Sequence, residues 1–511
     1  MIPIQIKEKY LCFPVKREAP EKLVTLFPAK EKEKKLREFQ IPWPGEGEAA
    51  DYWAAVPVQE WLGQELLLCG DMPDARLAMA RQQGERPAPA DALRPRIHFA
   101  PENGWMNDPN GLIRHGGLAL LYYQFNPFQV AWGPMHWGHA VSRDLLHWET
   151  RDIALFPDEQ GTMFSGCAWR DGQGLAGRGK DALLFFYTCA GGTEAPWSRD
   201  GTHTQRLAWS TDGGETLRKE EGVLLPALTG ENRDPKVFFH EESGAYGMVL
   251  YLEKNDFALF RSTDLRHWHE TQRLTLPGAR ECPDLFCLPV EGCGERKWVF
   301  WSADGFYFVG SYDGYRFTQE QERRQAYANR IPYAAQTFAC EPGRTLSMAW
   351  LRLPNRGRCF TGVMSLPAEL SLCRRGGAYV LRFSCCRELE AALRPLPEAS
   401  PAPEGPWVLD ACVPAQAGQC TLEFPGGPLR LNLETGRGTL GQTEFRFPAG
   451  AGLSFRLVAD YTVLEFFGDG GAVYAAEENR CDHLAGAVSL TGAQGGALPF
   501  RLAAAEAESN V

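Results

Sequence analysis

Ser142-Arg143-Asp144-Leu145-Leu146-His147-Trp148 is echoed by Ser262-Thr263-Asp264-Leu265-Arg266-His267-Trp268, and the repetition settles the architecture. Ser-x-Asp followed by an aromatic reads as a polar turn that closes one structural unit. Weaker copies of the turn stand at Ser210-Thr211-Asp212 and Ser311-Tyr312-Asp313-Gly314. An aromatic-rich strand precedes each turn, at Leu121–Phe125, Leu183–Tyr187, Met248–Tyr251 and Trp298–Trp301, and a fifth such strand is Leu346–Trp350. Each unit also opens on a polar corner. The openings are Asp108, Phe164-Ser165-Gly166, Asp234-Pro235, Glu281-Cys282-Pro283-Asp284 and Tyr333-Ala334-Ala335-Gln336. A period of roughly 50 residues with several strands per unit is the pattern of a β-propeller, and five copies predict five blades. The first strand of each blade lines the central channel, so the opening corners are expected to meet at one mouth.

Outward from the repeat the character changes. Residues 1–95 contain short apolar runs, a charged stretch from Lys30 to Arg37 that reads as solvated, a short helix expected over 74–83, and a Pro-Ala linker at 87–90. They are expected to form a small, β-rich accessory domain, with the propeller over 96–370. Residues 371–511 begin with a Pro-, Ala- and Glu-rich segment at 388–406 and continue as alternating short strands divided by glycine turns, which predicts a β-sandwich. The fold class is therefore all-β.

Composition narrows the function. The net charge of −11 gives no broad attraction to nucleic acid or anionic lipid. No apolar run is long enough to span a bilayer, and no secretory signal is visible, so a cytoplasmic location is expected. The 15 cysteines are odd in number, scattered and free of CxxC pairs, and the histidines lack ligand spacing, so neither a disulfide framework nor a metal or cofactor is expected. Oligomeric state is left open.

The chemistry lies in the corners. Asn107-Asp108-Pro109-Asn110-Gly111 is a turn in which proline fixes one φ and glycine accepts a positive one, so the Asp108 backbone is held while its side chain faces a ligand. Asp234 also precedes a proline, and Glu281 comes two residues before one. Three acids around one channel would repel unless they share protons or bind something polar. Two carboxylates about 5 Å apart suit retaining glycoside hydrolysis, one attacking the anomeric carbon and the other protonating the leaving oxygen. Arg233 is expected to keep Asp234 ionised. Trp105, Phe125, Phe128, Trp132 and Phe164 are expected to offer apolar faces to a sugar ring, and Asn107, Gln124 and Ser165 to offer hydrogen bonds. Trp137, Trp148, Trp268 and the histidines at 136, 139, 147 and 267 are assigned to packing.

These residues also carry a family resemblance. His98-Phe99-Ala100-Pro101 with Gly104–Gly111, Tyr123–Phe128, Trp132-Gly133 with Met135–Ser142, Phe164-Ser165-Gly166, Arg233–Phe238 and Glu281–Phe286 together resemble glycoside hydrolase family 32, the β-fructofuranosidases. The resemblance runs from about residue 96 to the end. It implies a five-bladed propeller joined to a sandwich, with Asp108 as nucleophile, Glu281 as general acid/base and Asp234 as transition-state stabiliser. It implies binding roles for Asn107, Gln124, Trp132, Phe164, Ser165 and Arg233, with no metal or cofactor. The implied substrate is a fructose-containing oligo- or polysaccharide. The implied reaction releases a terminal β-D-fructofuranosyl unit from levan- or inulin-type fructan, or from sucrose, through a fructosyl-enzyme intermediate. Met135–Ser142, Tyr333–Phe338 and the N-terminal region look closer to the fructan-degrading branch. Asn329-Arg330-Ile331-Pro332 departs from the acidic-aromatic pair common in the family, which leaves the blade-five wall and chain-length preference open; Cys167 replaces a common small hydroxyl residue. A fructosyltransferase using the same intermediate is the first alternative, and a non-catalytic carbohydrate-binding propeller the second.

Overall fold

The computed structural model describes residues 1–505 except Ala92, Glu194 and Gln494. Nearly all regular structure is β. The paired Ser-x-Asp corners explain how the middle of the chain is punctuated. Ser142 Oγ accepts the Leu145 amide at 2.8 Å, and Asp144 Oδ1 accepts the His147 amide at 2.8 Å. In the echo, Ser262 Oγ accepts the Leu265 amide at 2.9 Å and Asp264 Oδ1 the His267 amide at 2.8 Å. Leu145 and Leu265 take φ of 68° and 64°. Trp148 and Trp268 each donate their indole N–H to the carbonyl of that leucine. One backbone solution therefore recurs with its side-chain partners, and each time it joins the third strand of a sheet to the fourth.

Five antiparallel sheets follow one another from Gly104 to Cys385. Their first strands are Gly104–His115, Thr162–Asp171, Arg233–His240, Asp284–Pro289 and Pro332–Thr337. Each adjoins the next, and the fifth returns to the first. Phe360–Thr361 pairs in parallel with Gly104–Trp105, so chain from the end of the series is hydrogen-bonded into its beginning. Alternating faces of these strands bury Leu, Val, Phe and Tyr between neighbouring sheets. Each such side chain contributes about 1.5–3 kcal/mol.

The fifth sheet continues through Ala368–Arg375 and Ala378–Cys385, past the division expected at residue 370. Beyond it, a six-stranded and a five-stranded sheet share one core that includes Trp407, Leu422, Leu431, Phe445 and Phe466. The 388–406 segment supplies a short helix, Arg387–Ala392, and a strand, Leu393–Pro395.

The N-terminal region is β-rich, with a four-stranded and a three-stranded sheet. The helix expected over 74–83 is a single turn, Asp74–Leu77, after which Arg81–Gln83 pairs as a strand with Tyr10–Cys12. Four residues cannot propagate a stable helix, and strand pairing prevails. This region is not a separate body. Its core takes in Phe128, Phe156 and Cys359 from connecting segments of the sheets that follow.

His98 ties the other side together. Its Nδ1 lies 3.0 Å from Asp460 and its Nε2 2.8 Å from Glu465, with all three side chains buried. The amides of Arg96, Ile97 and His98 donate to the same Asp460 carboxylate. Burial alone would lower the imidazole pKa, but the two carboxylates overcome it and push it up to about 9.

Candidate active site

The corners converge by means of a repeated irregularity. In the first sheet, Met106 pairs with Phe125 and Pro109 with Tyr123, leaving one extra residue around Asn107-Asp108. The same one-residue bulge recurs at Phe164-Ser165, Asp234-Pro235 and Ala334-Ala335. A bulge breaks the two-residue alternation and re-aims a side chain. Asp234, Cys282 and Ala334 take φ of 64°, 50° and 50°, a region that side chains other than glycine enter at a cost of about 1 kcal/mol or more. The surrounding lattice holds that strain. The Asp234 amide donates to Thr188 Oγ1 at 2.9 Å, and the Thr188 hydroxyl donates to Gln205 at 2.7 Å.

The result is one polar cluster. Ser165 Oγ donates to Asp108 Oδ2 at 2.7 Å. The Cys282 amide donates to Asp234 Oδ2 at 3.0 Å, and the Cys282 thiol lies 3.5 Å from Asp108 Oδ2 and from Asp234 Oδ2. Glu281, the neighbouring residue, accepts on Oε2 from Arg233 Nε at 3.1 Å and its terminal nitrogen at 2.7 Å. Glu281 Oε1 accepts the Tyr333 hydroxyl at 2.6 Å. Asp108 and Asp234, from the first strands of two sheets, thus meet Glu281, from the bend that leads into a third sheet.

Burial and like charge dominate the electrostatics. Burial raises the Asp108 pKa, and nearby Glu281 raises it further against the Ser165 hydrogen bond. Asp234 is 4% exposed; burial, Glu281 and Asp108 push its pKa up to about 7. The expectation that Arg233 keeps Asp234 ionised is corrected here. Its Nε stands 3.8 Å from Asp234 Oδ2, and its hydrogen bonds go to Glu281 and to the Glu231 carbonyl instead, so the opposing charge only moderates the burial cost. Burial also drives the Cys282 thiol well up, so it is a neutral S–H between two acids.

The other expected residues divide. Asn107 is buried and accepts the Trp105 indole N–H at 2.9 Å. Gln124 is buried opposite the first bulge and donates to the Met163 carbonyl at 2.8 Å. Phe164 meets Trp132 edge-on at 6.1 Å, and Trp132 is 51% exposed at the rim. Phe125 and Phe128 are not sugar platforms. Phe125 packs on the core beside Tyr123, and Phe128 is buried against Phe13 and Phe39 of the N-terminal region. Strand alternation and the turn after Asn126 carry both rings away from the cluster. Trp137 and Trp268 are buried as expected. Burial pushes His136 and His139 down to about 3, which makes them neutral packing residues.

Three contributors escaped sequence reasoning. Cys282 lay inside a motif quoted for its acid, Tyr333 lay at a unit's opening without an assigned role, and Thr188 carried no signal at all. The departing segment at 329–332 is anchored away from the cluster. Asn329 donates to Thr443 Oγ1 at 2.5 Å and to the Ala476 carbonyl at 2.7 Å. Beside the cluster on this side stands Tyr333, which holds Glu281 and packs edge-on against Trp350, with the Arg352 guanidinium 4.1 Å over its ring.

Comparison with known proteins bears on the family and the fold. Residues 98–382, more than half of the chain, match the model described as the glycosyl hydrolases family 32 N-terminal domain. A levanase from Bacillus subtilis (strain 168) is 37% identical over 282 residues, spanning 50% of this chain and 40% of the levanase. An invertase from Debaryomyces hansenii is 34% identical over 284 residues, 50% of this chain and 52% of the invertase. The chain spans about half the length of the curated relatives it matches. Among solved structures, exo-inulinase from Aspergillus awamori superposes with a TM-score of 0.72 at 21% identity, over 81% of this chain and 98% of that one. A glycoside hydrolase family 32 structure from Bifidobacterium adolescentis aligns over 98% of this chain and 99% of its own, with a TM-score of 0.67 at 20% identity. The last match takes in the N-terminal region, so that fold is shared as well.

Proposed function

The chain belongs to glycosyl hydrolases family 32, and from that premise we propose that it is a retaining β-fructosidase. It releases terminal β-D-fructofuranosyl units from levan- or inulin-type fructans and from sucrose. We read the five sheets as blades of a propeller and the two C-terminal sheets as a sandwich. The observation that carries the proposal is the meeting around Cys282 of three acids from separate parts of the chain.

Asp108 attacks the anomeric carbon of the fructosyl unit. The Ser165 hydrogen bond orients its carboxylate and favours the ionised form that attacks. Glu281 gives its proton to the departing glycosidic oxygen, then takes one from the water that cleaves the ester, so configuration is retained. Arg233 and Tyr333 hold both Glu281 oxygens in place. Asp234 hydrogen-bonds the furanose hydroxyls, and its interaction strengthens as positive charge develops on the ring.

The test is fructose release from sucrose, inulin and levan by the wild type, Asp108→Asn and Glu281→Gln. The expected result is release by the wild type, with losses of roughly a hundredfold to ten-thousandfold or more in the variants. Full activity in Asp108→Asn would sink the assignment.

A further inference from the structure

Arg233 and Asp234 act from a backbone that is itself gripped by a closed circuit of hydrogen bonds. Thr188, on strand Ala182–Ala190, and Gln205, on strand His203–Ser210, lie directly opposite each other in the second sheet. Both reach across to the chain that enters the third sheet. Thr188 Oγ1 accepts the Asp234 amide at 2.9 Å, and its hydroxyl donates to Gln205 Oε1 at 2.7 Å. Gln205 Nε2 donates to the Asn232 carbonyl at 3.3 Å. The two peptide groups that flank the Arg233 Cα are therefore held, one by its carbonyl and the other by its N–H. Asn232 is moored in turn. Its Oδ1 accepts the Leu228 and Thr229 amides at 2.8 and 3.0 Å, and its Nδ2 donates to the His203 carbonyl at 3.1 Å.

The circuit closes in one direction only. A backbone amide donates, so it makes Thr188 Oγ1 an acceptor and leaves the hydroxyl proton for Gln205. A carbonyl accepts, so Asn232 takes the Gln205 amide nitrogen and leaves the amide oxygen for Thr188. Thr188, Gln205 and Asn232 are each 0% exposed, so water does not stand in for a lost member. The segment inside the grip needs holding. It contains the bulge between Arg233 and Lys236 and the φ of 64° at Asp234, a backbone state that persists only where its surroundings over-determine it.

We propose that Thr188 and Gln205 are positioning residues, acting as one clamp that sets Asp234 and, through Arg233, the acid/base Glu281. The inference rests on the β-fructosidase reading. The Asp234 carboxylate accepts the Cys282 amide, and the Arg233 guanidinium donates twice to Glu281 Oε2. Both side chains spring from the gripped segment, so a slackened clamp displaces the stabiliser and the acid/base together. Asp234 contributes most as positive charge grows on the furanose, so the displacement falls on kcat more than on KM.

The test measures kcat and KM for sucrose in the wild type, Thr188→Val, Thr188→Ser, Gln205→Met and the Val–Met double variant, below each protein's thermal midpoint. In Thr188→Val, kcat is expected to fall about tenfold or more while KM stays within about threefold. Thr188→Ser keeps the hydroxyl and is expected to recover kcat to within about threefold of the wild type. Residues that act as a unit are not additive, so the double variant is expected to lose no more than about threefold beyond the worse single one. A kcat within about twofold of the wild type in Thr188→Val, a serine no better than valine, or losses that multiply in the double variant overturns the clamp. Where the apolar variants do not fold, Thr188→Cys, a weaker hydrogen-bond former of similar size, is judged by the same twofold limit on kcat. If the wild type releases no fructose, the β-fructosidase reading fails first, and the clamp is judged by stability alone. Asp234→Asn relieves a carboxylate held against Glu281 and Asp108, and its gain in thermal midpoint at pH 8 is expected to drop by half or more in the Thr188→Val background. A gain that keeps more than half its size there overturns the clamp.

Discussion

Replacing Asp234 with asparagine is expected to stabilise the protein at neutral and alkaline pH while removing activity. The native fold holds this carboxyl at about 7, against an ordinary 3.8, chiefly through burial and then through Glu281 and Asp108. Between those two values the folded chain binds a proton that the unfolded chain has released. Stability therefore falls as pH rises through this window, and the full cost is reached above pH 7. At about 1.4 kcal/mol per tenfold, the cost is about 4 kcal/mol at pH 8 and shrinks toward zero near pH 4. Asparagine keeps an acceptor for the Cys282 amide and carries no charge, so about 2–4 kcal/mol is recovered, a shift of roughly 2–4 °C in thermal midpoint for a chain of 511 residues. Scanning wild type and Asp234→Asn by fluorescence from pH 4.5 to 8.5 reads the difference directly. Because His98 and every other titrating group outside the cluster are common to both proteins, the subtraction isolates the acids. A difference that is negative at pH 8, or flat across the range, would refute the claim that the fold compresses three carboxylates at a cost to its own stability.

Other outcomes follow from the same structure. His98→Ala leaves Asp460 and Glu465 buried without their shared cation and is expected to cost about 3–5 kcal/mol, read as a lowered unfolding midpoint. In the wild type, the stabilisation from His98 is complete below about pH 6.5 and is lost as pH rises through about 9, since the native imidazole is the more basic. Gly166→Ala would place a Cβ 2.0 Å from the Phe186 carbonyl oxygen, and a loss of about 2 kcal/mol or more is expected together with reduced activity. Phe128→Ala empties the ring that seats the N-terminal region. A cost of about 3–5 kcal/mol and faster proteolysis within residues 1–95 are expected, measured by limited digestion.

What could be read in the sequence follows from where the physics is local. Ser-x-Asp-Leu-x-His-Trp is a self-contained backbone solution, so its echo reported real structural equivalence. Acids directly or two residues before a proline likewise announced corners, and those at 108, 234 and 281 meet in one cluster. Long-range partnerships were not legible. Arg233 adjoins Asp234 in sequence, but the bulge turns its guanidinium onto Glu281, whose position depends on another sheet. Phe128 stands five residues after Tyr123 in an apparently site-facing run, but the turn delivers it to the N-terminal core. Strands 368–375 and 378–385 alternate just as sandwich strands do, and only their pairing with Leu346–Ser347 shows that they complete the fifth sheet. The bulges themselves left no pattern of their own, because one extra residue in a strand shifts register without changing composition.

The most direct measurement is a crystal structure of the Glu281→Gln protein with uncleaved sucrose. The fructosyl ring is expected at the cluster, with its anomeric carbon facing Asp108, its hydroxyls on Asp234, and the glycosidic oxygen facing residue 281. A furanose bound elsewhere, or one whose anomeric carbon is turned away from Asp108, would contradict the account.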